Sequence, residues 1–305
     1  MREDFLSGVG DELRDRTIGV VRAQWAALGA GATAPGLAAA VVDPEALVLA
    51  SLGLVDHDRP LAGTLAWWAA RGSGLMSVQR IRNLSARFPD TVRHRLKEFA
   101  ASARSAGDHR WKGVAGGTSV ETASPEGGDP RLEGAAGTLL RLRLGLGVGI
   151  KADLVGALVG AEGWWRVREL AASTGYTSRA VRRAAEELAR GGWIAASPAS
   201  PAEYRTDVKR WLPILGLGSP APWRDWSRLF ALVLAVDAWL RAEEWPDRDP
   251  GELEGQARRL VDAHRPAFKW SGVPVPSPTQ GSGSDYSRAF CEASLLVTRW
   301  MEEGV

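Results

Sequence analysis

The chain has 305 residues, 45% of them hydrophobic and 24% charged, a balance typical of globular proteins and a length that suits two or three domains with cores of their own. Its one cysteine, Cys291, excludes an internal disulfide framework and a cysteine-cluster metal site, and fits a reducing cytoplasm. The net charge of +2 is unevenly spread: residues 139–215 carry 12 basic and 7 acidic groups, whereas residues 216–305 carry 10 and 13. The middle of the chain is therefore where a polyanion would be drawn.

The first four residues mix charges and lead into a polar amphipathic stretch, unlike a signal peptide. The longest apolar run, residues 229–240, is interrupted by Asp237 and falls short of the roughly 20 residues of a membrane span. A cytoplasmic protein without membrane association is the expectation. Residues 1–105 read as an N-terminal helical domain with helices at 11–28, 44–54, 62–71, 77–88 and 90–103. In the last of these Val92, Leu96 and Phe99 recur at i, i+4 and i+7 between Arg93, Arg95 and Lys97, with Asp90 as the N-cap. Residues 106–136, rich in Gly, Ser, Thr, Pro and Glu, read as a flexible linker.

Residues 137–215 read as a domain. Gly145, Gly147 and Gly149 lack the spacing of a dinucleotide fingerprint and suggest a hinge before Lys151. Three helices follow. The first buries Leu154, Val155 and Leu158; the second buries Val167, Leu170 and Ala171 and breaks at Gly175, which suits the positive φ of a tight turn. The third is capped by Thr177 and turns Val181, Ala185 and Leu188 inward. That leaves Ser178, Arg179, Arg182 and Arg183 outward on its N-terminal turns, where arginine can bond guanine O6 and N7 and serine can hold a phosphate. Gly191 and Gly192 stop the helix, and two strands at 193–196 and 204–212 flank a turn at 197–202. Arg205, Lys209 and Arg210 on the returning strand are candidate phosphate or minor-groove contacts, although Pro198, Pro201 and Glu203 leave the tip poor in cations.

On the pattern WWRVRELAASTGYTSRAVRRAAEELARGGWI, this quarter of the chain resembles the winged helix-turn-helix superfamily of transcriptional regulators. The resemblance implies that the third helix reads double-stranded DNA and the wing grips its backbone, roles that fall to Arg179, Arg182, Arg183 and Arg205. Thr177, Ser178, Lys209 and Arg210 complete the candidate DNA-binding set. It also implies a homodimer on palindromic half-sites.

Residues 216–305 read as a helical C-terminal region. A helix at 223–244 places Trp226, Leu229, Phe230, Val233, Val236 and Leu240 on one face and ends at Pro246. A second spans 250–263, and a third spans 286–303 with Phe290, Leu295, Val297 and Trp300 apolar and Asp285 as its cap. The apolar faces beginning at Trp223 and Tyr286 are the candidate dimer interface. The fold class is thus mainly α: a central winged helix-turn-helix domain with a small two-stranded wing, flanked by helical regions.

The 14 tryptophans read mostly as core or interface, with a few available to line an effector pocket between the middle segment and the C-terminal helices. His57, His94, His109 and His264 lack zinc-site spacing, and no phosphate loop or nucleophile elbow is present. The chain is accordingly read as a non-enzyme without catalytic residues, cofactor or metal. A second basic stretch, Arg71, Arg80, Arg82, Arg87, Arg93, Arg95 and Lys97, is either an extension of a DNA footprint or a solvated face. The alternative function is an interaction scaffold: residues 47–99 and the helical flanks resemble antitoxin-like regulators encoded beside nucleotidyltransferase toxins, which implies a protein partner.

Overall fold

Asp writes several of the helix starts, twice with Pro directly after it. Asp43 caps the helix Pro44–Leu54 by accepting from the Ala46 N–H at 3.2 Å, and Asp249 caps Pro250–Ser271 through Gly251 N–H at 2.9 Å. In both, proline sits at the first position, where its missing donor costs nothing. The computed structural model describes residues 2–31, 38–115, 127–242, 249–277 and 284–305. Among these the protein is mainly helical, with one small three-stranded antiparallel sheet.

The order is α1 (Arg2–Ala27), α2 (Pro44–Leu54), α3 (Pro60–Arg71), α4 (Val78–Ser85) and α5 (Asp90–Ser105), then α6 (Thr138–Leu146) and α7 (Ile150–Val159). Strand β1 (Trp165–Arg166) leads into α8 (Val167–Thr174) and α9 (Ser178–Arg190), followed by β2 (Ala195–Ala196), β3 (Glu203–Arg205) and α10 (Val208–Ile214). Helices α11 (Trp226–Leu240), α12 (Pro250–Ser271) and α13 (Ser284–Glu302) complete it. The sheet order is β1-β3-β2, with Trp165 opposite Tyr204 and Ala195 opposite Arg205.

Two hydrophobic cores organise these elements. The smaller belongs to α6–α10 and the sheet, and gathers Leu154, Leu158, Leu170, Val181, Leu188 and Tyr204. The larger draws on both α1–α5 and α11–α13, so the terminal segments, expected as separate regions, share one interior. The reason lies in α2: every residue but Gly53 is buried, and a helix apolar on all sides must be enclosed from all sides. Phe230 and Val233 of α11 and Phe290 of α13 lie in the same core as Leu47 and Leu49 of α2. The middle unit leaves and re-enters this body at one place. Val41 N–H donates to the Pro222 carbonyl at 3.0 Å, Val42 N–H to that of Ala136 at 3.4 Å, and Trp226 Nε1 to that of Val41 at 2.8 Å.

Several expectations change. The faces of α11 and α13 proposed for dimerisation are consumed inside the chain, where Trp226, Leu229, Phe230, Tyr286 and Phe290 are buried. The linker expected at 106–136 contains a 3₁₀ turn, His109–Gly113, that buries Trp111 against Phe99 at 5.3 Å between ring centroids; its residues 116–126 lie outside those described. Of the hinge glycines, Gly145 lies within α6, while Gly147, at φ 85°, and Gly149 separate α6 from α7. Asp90 is the first residue of α5, after the N-cap position at Pro89. Helix α12 continues past 263, carrying Pro266 within it. The stop expected at Pro246 and the capping side chain of Asp285 lie outside what is described. No helix among the described residues is long and apolar enough to cross a membrane.

Candidate nucleic-acid interface

The turn between α8 and α9 is fixed by its own chemistry and from beneath. Gly175 adopts φ 78°, and its N–H returns to the Ala171 carbonyl at 3.0 Å, a helix end that residues with a β-carbon resist. A β-carbon there would also lie 2.4 Å from Leu84 Cδ2 of α4. Two α4 side chains hold the turn: Arg80 Nε donates to the Thr174 carbonyl at 2.6 Å and Asn83 Nδ2 to that of Gly175 at 3.3 Å. Thr177 then caps α9, its hydroxyl accepting from Ala180 N–H at 3.3 Å. The first turns of α9 are thereby held to the rest of the protein.

Beneath the turn lies a fully buried charge network. Arg80 grips Asp43 through two 2.6 Å hydrogen bonds and reaches Glu45 at 2.6 Å; Arg143 of α6 bonds Glu45 at 2.7 and 2.9 Å and Asp153 of α7 at 2.8 and 3.1 Å. Tyr176 donates its hydroxyl to Asp153 at 2.8 Å. Burial opposes charge here, yet the facing carboxylates hold both guanidiniums above their ordinary range, and Arg80 keeps Asp43 below the usual carboxylate range. Burial, then the Asp153 charge, pushes the Tyr176 hydroxyl upward, so it stays a neutral donor. The groups come from α2, α4, α6, α7 and the α8–α9 turn, so the network ties both cores together.

Above it, Val181, Ala184, Ala185 and Leu188 seat α9 on the smaller core. Ser178, Arg179, Arg182 and Arg183 are exposed, as the spacing predicts. They differ in commitment. Arg183, 85% exposed, pairs with Glu187 at 3.0 Å, and Glu187 also meets Lys151 at 2.9 Å. Arg179 and Arg182 make no ion pair among the described residues. Arg182 and Ser178 line a cleft of about 490 Å³ between α8, α9 and the loop before β3, together with Arg166, Arg168, Glu186 and Tyr204. Arg168 is exposed; Arg166 is tied to Glu203 at 2.9 Å. Sequence reasoning missed this pair, although the pattern WRVRE places Arg166 at the N-cap and Arg168 on the first turn of the second helix.

The predicted wing cations are placed differently from the sequence reading. Strand β3 ends at Arg205, and Asp207 caps a helix, α10, so Lys209 and Arg210 sit on helical turns rather than on a strand. Arg210 donates to the Gly192 carbonyl at 2.9 Å, which satisfies the loop after α9. Arg205 rests over Trp164, its guanidinium carbon 4.5 Å from the ring centroid. The sheet also has three strands rather than two, because Trp165 and Arg166 pair with β3. The N-terminal basic stretch is largely spoken for: Arg80 is buried, Arg87 donates to Ser227 at 2.5 Å and Ala172 O at 3.2 Å, and Arg95 bonds Leu52 O at 2.8 Å and pairs with Asp56. Only Arg82 and Lys97 of that stretch are exposed and without an ion pair among the described residues.

Comparison of the chain with protein-family models, with curated proteins and with solved structures finds no match.

Proposed function

We propose that the middle unit is a winged helix-turn-helix module, that it binds double-stranded DNA through the N-terminal turns of α9, and that the chain is a sequence-specific DNA-binding regulator. The observation that carries the reading is the pair of exposed, uncommitted cations Arg179 and Arg182 on a helix whose start is held by a capped turn. Such a helix end can enter the major groove, with arginine reading guanine and Ser178 holding a phosphate. Arg168 adds a cation beside the same groove face. The wing contributes less, because Arg205 is engaged by Trp164 and Arg166 by Glu203.

A fluorescence anisotropy titration against duplex from upstream of the protein's own gene and a scrambled duplex, at two salt concentrations, tests this. Affinity falls steeply with salt as counterions are released, and Arg179→Ala with Arg182→Ala abolishes the sequence preference at about 1–3 kcal/mol per lost bidentate contact. Equal affinity for both duplexes at every salt concentration overturns it. A second reading, a protein-partner scaffold, is favoured by one feature: Trp193, 44% exposed, packs on Trp211 of α10, and Ile214 of that helix is 64% exposed. That reading predicts partner binding that persists in salt.

A further inference from the structure

Between β1 and α8 on one side and α11 and α12 on the other lies a cleft of about 600 Å³, within the size range of small-molecule sites. Three indoles, Trp164, Trp165 and Trp270, line it. Trp165 and Trp270 pack on each other, 5.8 Å between centroids and tilted by 31°, and both line the cleft, so they offer it one joined aromatic surface. Trp165 gives its N–H to the Glu162 carbonyl at 3.2 Å, which fixes that ring. Trp270 and Trp164 make no hydrogen bond through theirs among the described residues. Trp164 is 38% exposed and Trp165 and Trp270 are partly buried, in a chain that buries Trp25, Trp68, Trp111 and Trp226 almost completely; Arg205 covers the Trp164 ring, so Trp165 and Trp270 supply the accessible aromatic surface of the cleft.

The charges in the lining are asymmetric. Arg228, Arg265 and Lys269 face the cleft with a single carboxylate, Glu169. Glu169 is already employed, accepting the Arg166 N–H at 2.9 Å at the start of α8. Arg228 is paired with Asp225 at 2.9 Å and Arg265 with Asp262 at 2.6 Å. Lys269, exposed, has no ion pair among the described residues. One uncompensated ammonium beside three indoles matches a ligand with one negative charge on an aromatic body.

We propose that this cleft is a binding site for a planar aromatic carboxylate, its rings against Trp165 and Trp270 and its carboxylate on Lys269. The site does not depend on the DNA-binding reading, since none of the α9 cations lines it.

Isothermal titration calorimetry of the full chain with 2-naphthoate as probe tests it, beside the neutral analogue 2-naphthalenemethanol. Saturable 1:1 binding is expected for the carboxylate, weaker by about tenfold for the alcohol, a loss equal to one charge-assisted contact. Lys269→Gln, a change at an exposed side chain, should weaken naphthoate by a similar factor and leave the alcohol unchanged. Trp270→Ala should weaken both. No saturable binding, naphthoate binding indifferent to both substitutions, or equal affinity for alcohol and acid overturns the assignment.

Discussion

Arg80 and Arg182 are the same side chain put to opposite uses at one turn: Arg80 bonds the α8–α9 turn from α4, and Arg182 stands on the helix that leaves it. Arg80 and its neighbour Arg143 are wholly buried, with every strong contact made to carboxylates or carbonyls of the fold. Arg179 and Arg182 are exposed and uncommitted. A count of arginines therefore says little about a nucleic-acid footprint; what matters is which guanidiniums remain after the interior has taken its share. Buried ion pairs bring no assured stability over an apolar replacement, but breaking one leaves an uncompensated charge. Surface arginines carry almost no folding energy and are free for a partner.

The sharpest test removes one interior cation. Arg143→Met should lower unfolding free energy by about 3–5 kcal/mol, because Glu45 and Asp153 lose their shared partner in a dry site; urea denaturation measures it, and a loss under about 1 kcal/mol would mean that water reaches the carboxylates. His264 stands between the two arginine classes. Burial, then the Arg228 charge, lowers its pKa from 6.5 to about 4. The native state holds the neutral ring, so its contribution is complete above pH 6.5 and declines as pH falls from there toward 4, by about 3 kcal/mol at most. Stability measured across that window should lose this slope in His264→Gln. Gly175→Ala should cost about 1–3 kcal/mol by the same denaturation assay, through its positive φ and the collision with Leu84. Arg182→Ala should change stability by less than about 0.5 kcal/mol while weakening the proposed DNA sequence preference by one contact. A large stability loss there would erase the contrast between the two arginine classes.

Local chemistry was legible in the sequence. The span of α9, its Thr177 cap, its inward Val181, Ala185 and Leu188, and the Gly175 turn all follow from spacing within a dozen residues, and all are present. The returning strand was misread past Arg205 because Asp207 is a helix cap and Trp211 and Leu215 repeat at i+4, a helical rather than an alternating pattern. The charge network has a faint signature: Arg80 shares a helix face with Leu84, and Arg143 with Leu139 and Leu140, so each places a cation on an apolar stripe. Which acid answers each cation was not legible, since Glu45 and Arg143 are 98 residues apart. The shared core of the two ends is invisible for the same reason; every helix advertises an apolar face, and none names the face it meets. The cleft of indoles was foreseen only as a location between the middle segment and the C-terminal helices.

The shared core also sets an order of events during synthesis. Helices α1 and α2 leave the ribosome early, yet α1 packs on α13 and α2 on α11, which are made only after the whole middle unit. At about 5–20 residues per second, Trp25, Leu47 and Leu49 wait on the order of ten seconds for their neighbours. The middle unit, whose core is drawn mostly from residues 139–223, can fold in that interval. The nascent chain thus carries a finished module on an unfinished body, and the apolar side of α2 is the surface that a chaperone would have to shield until translation ends.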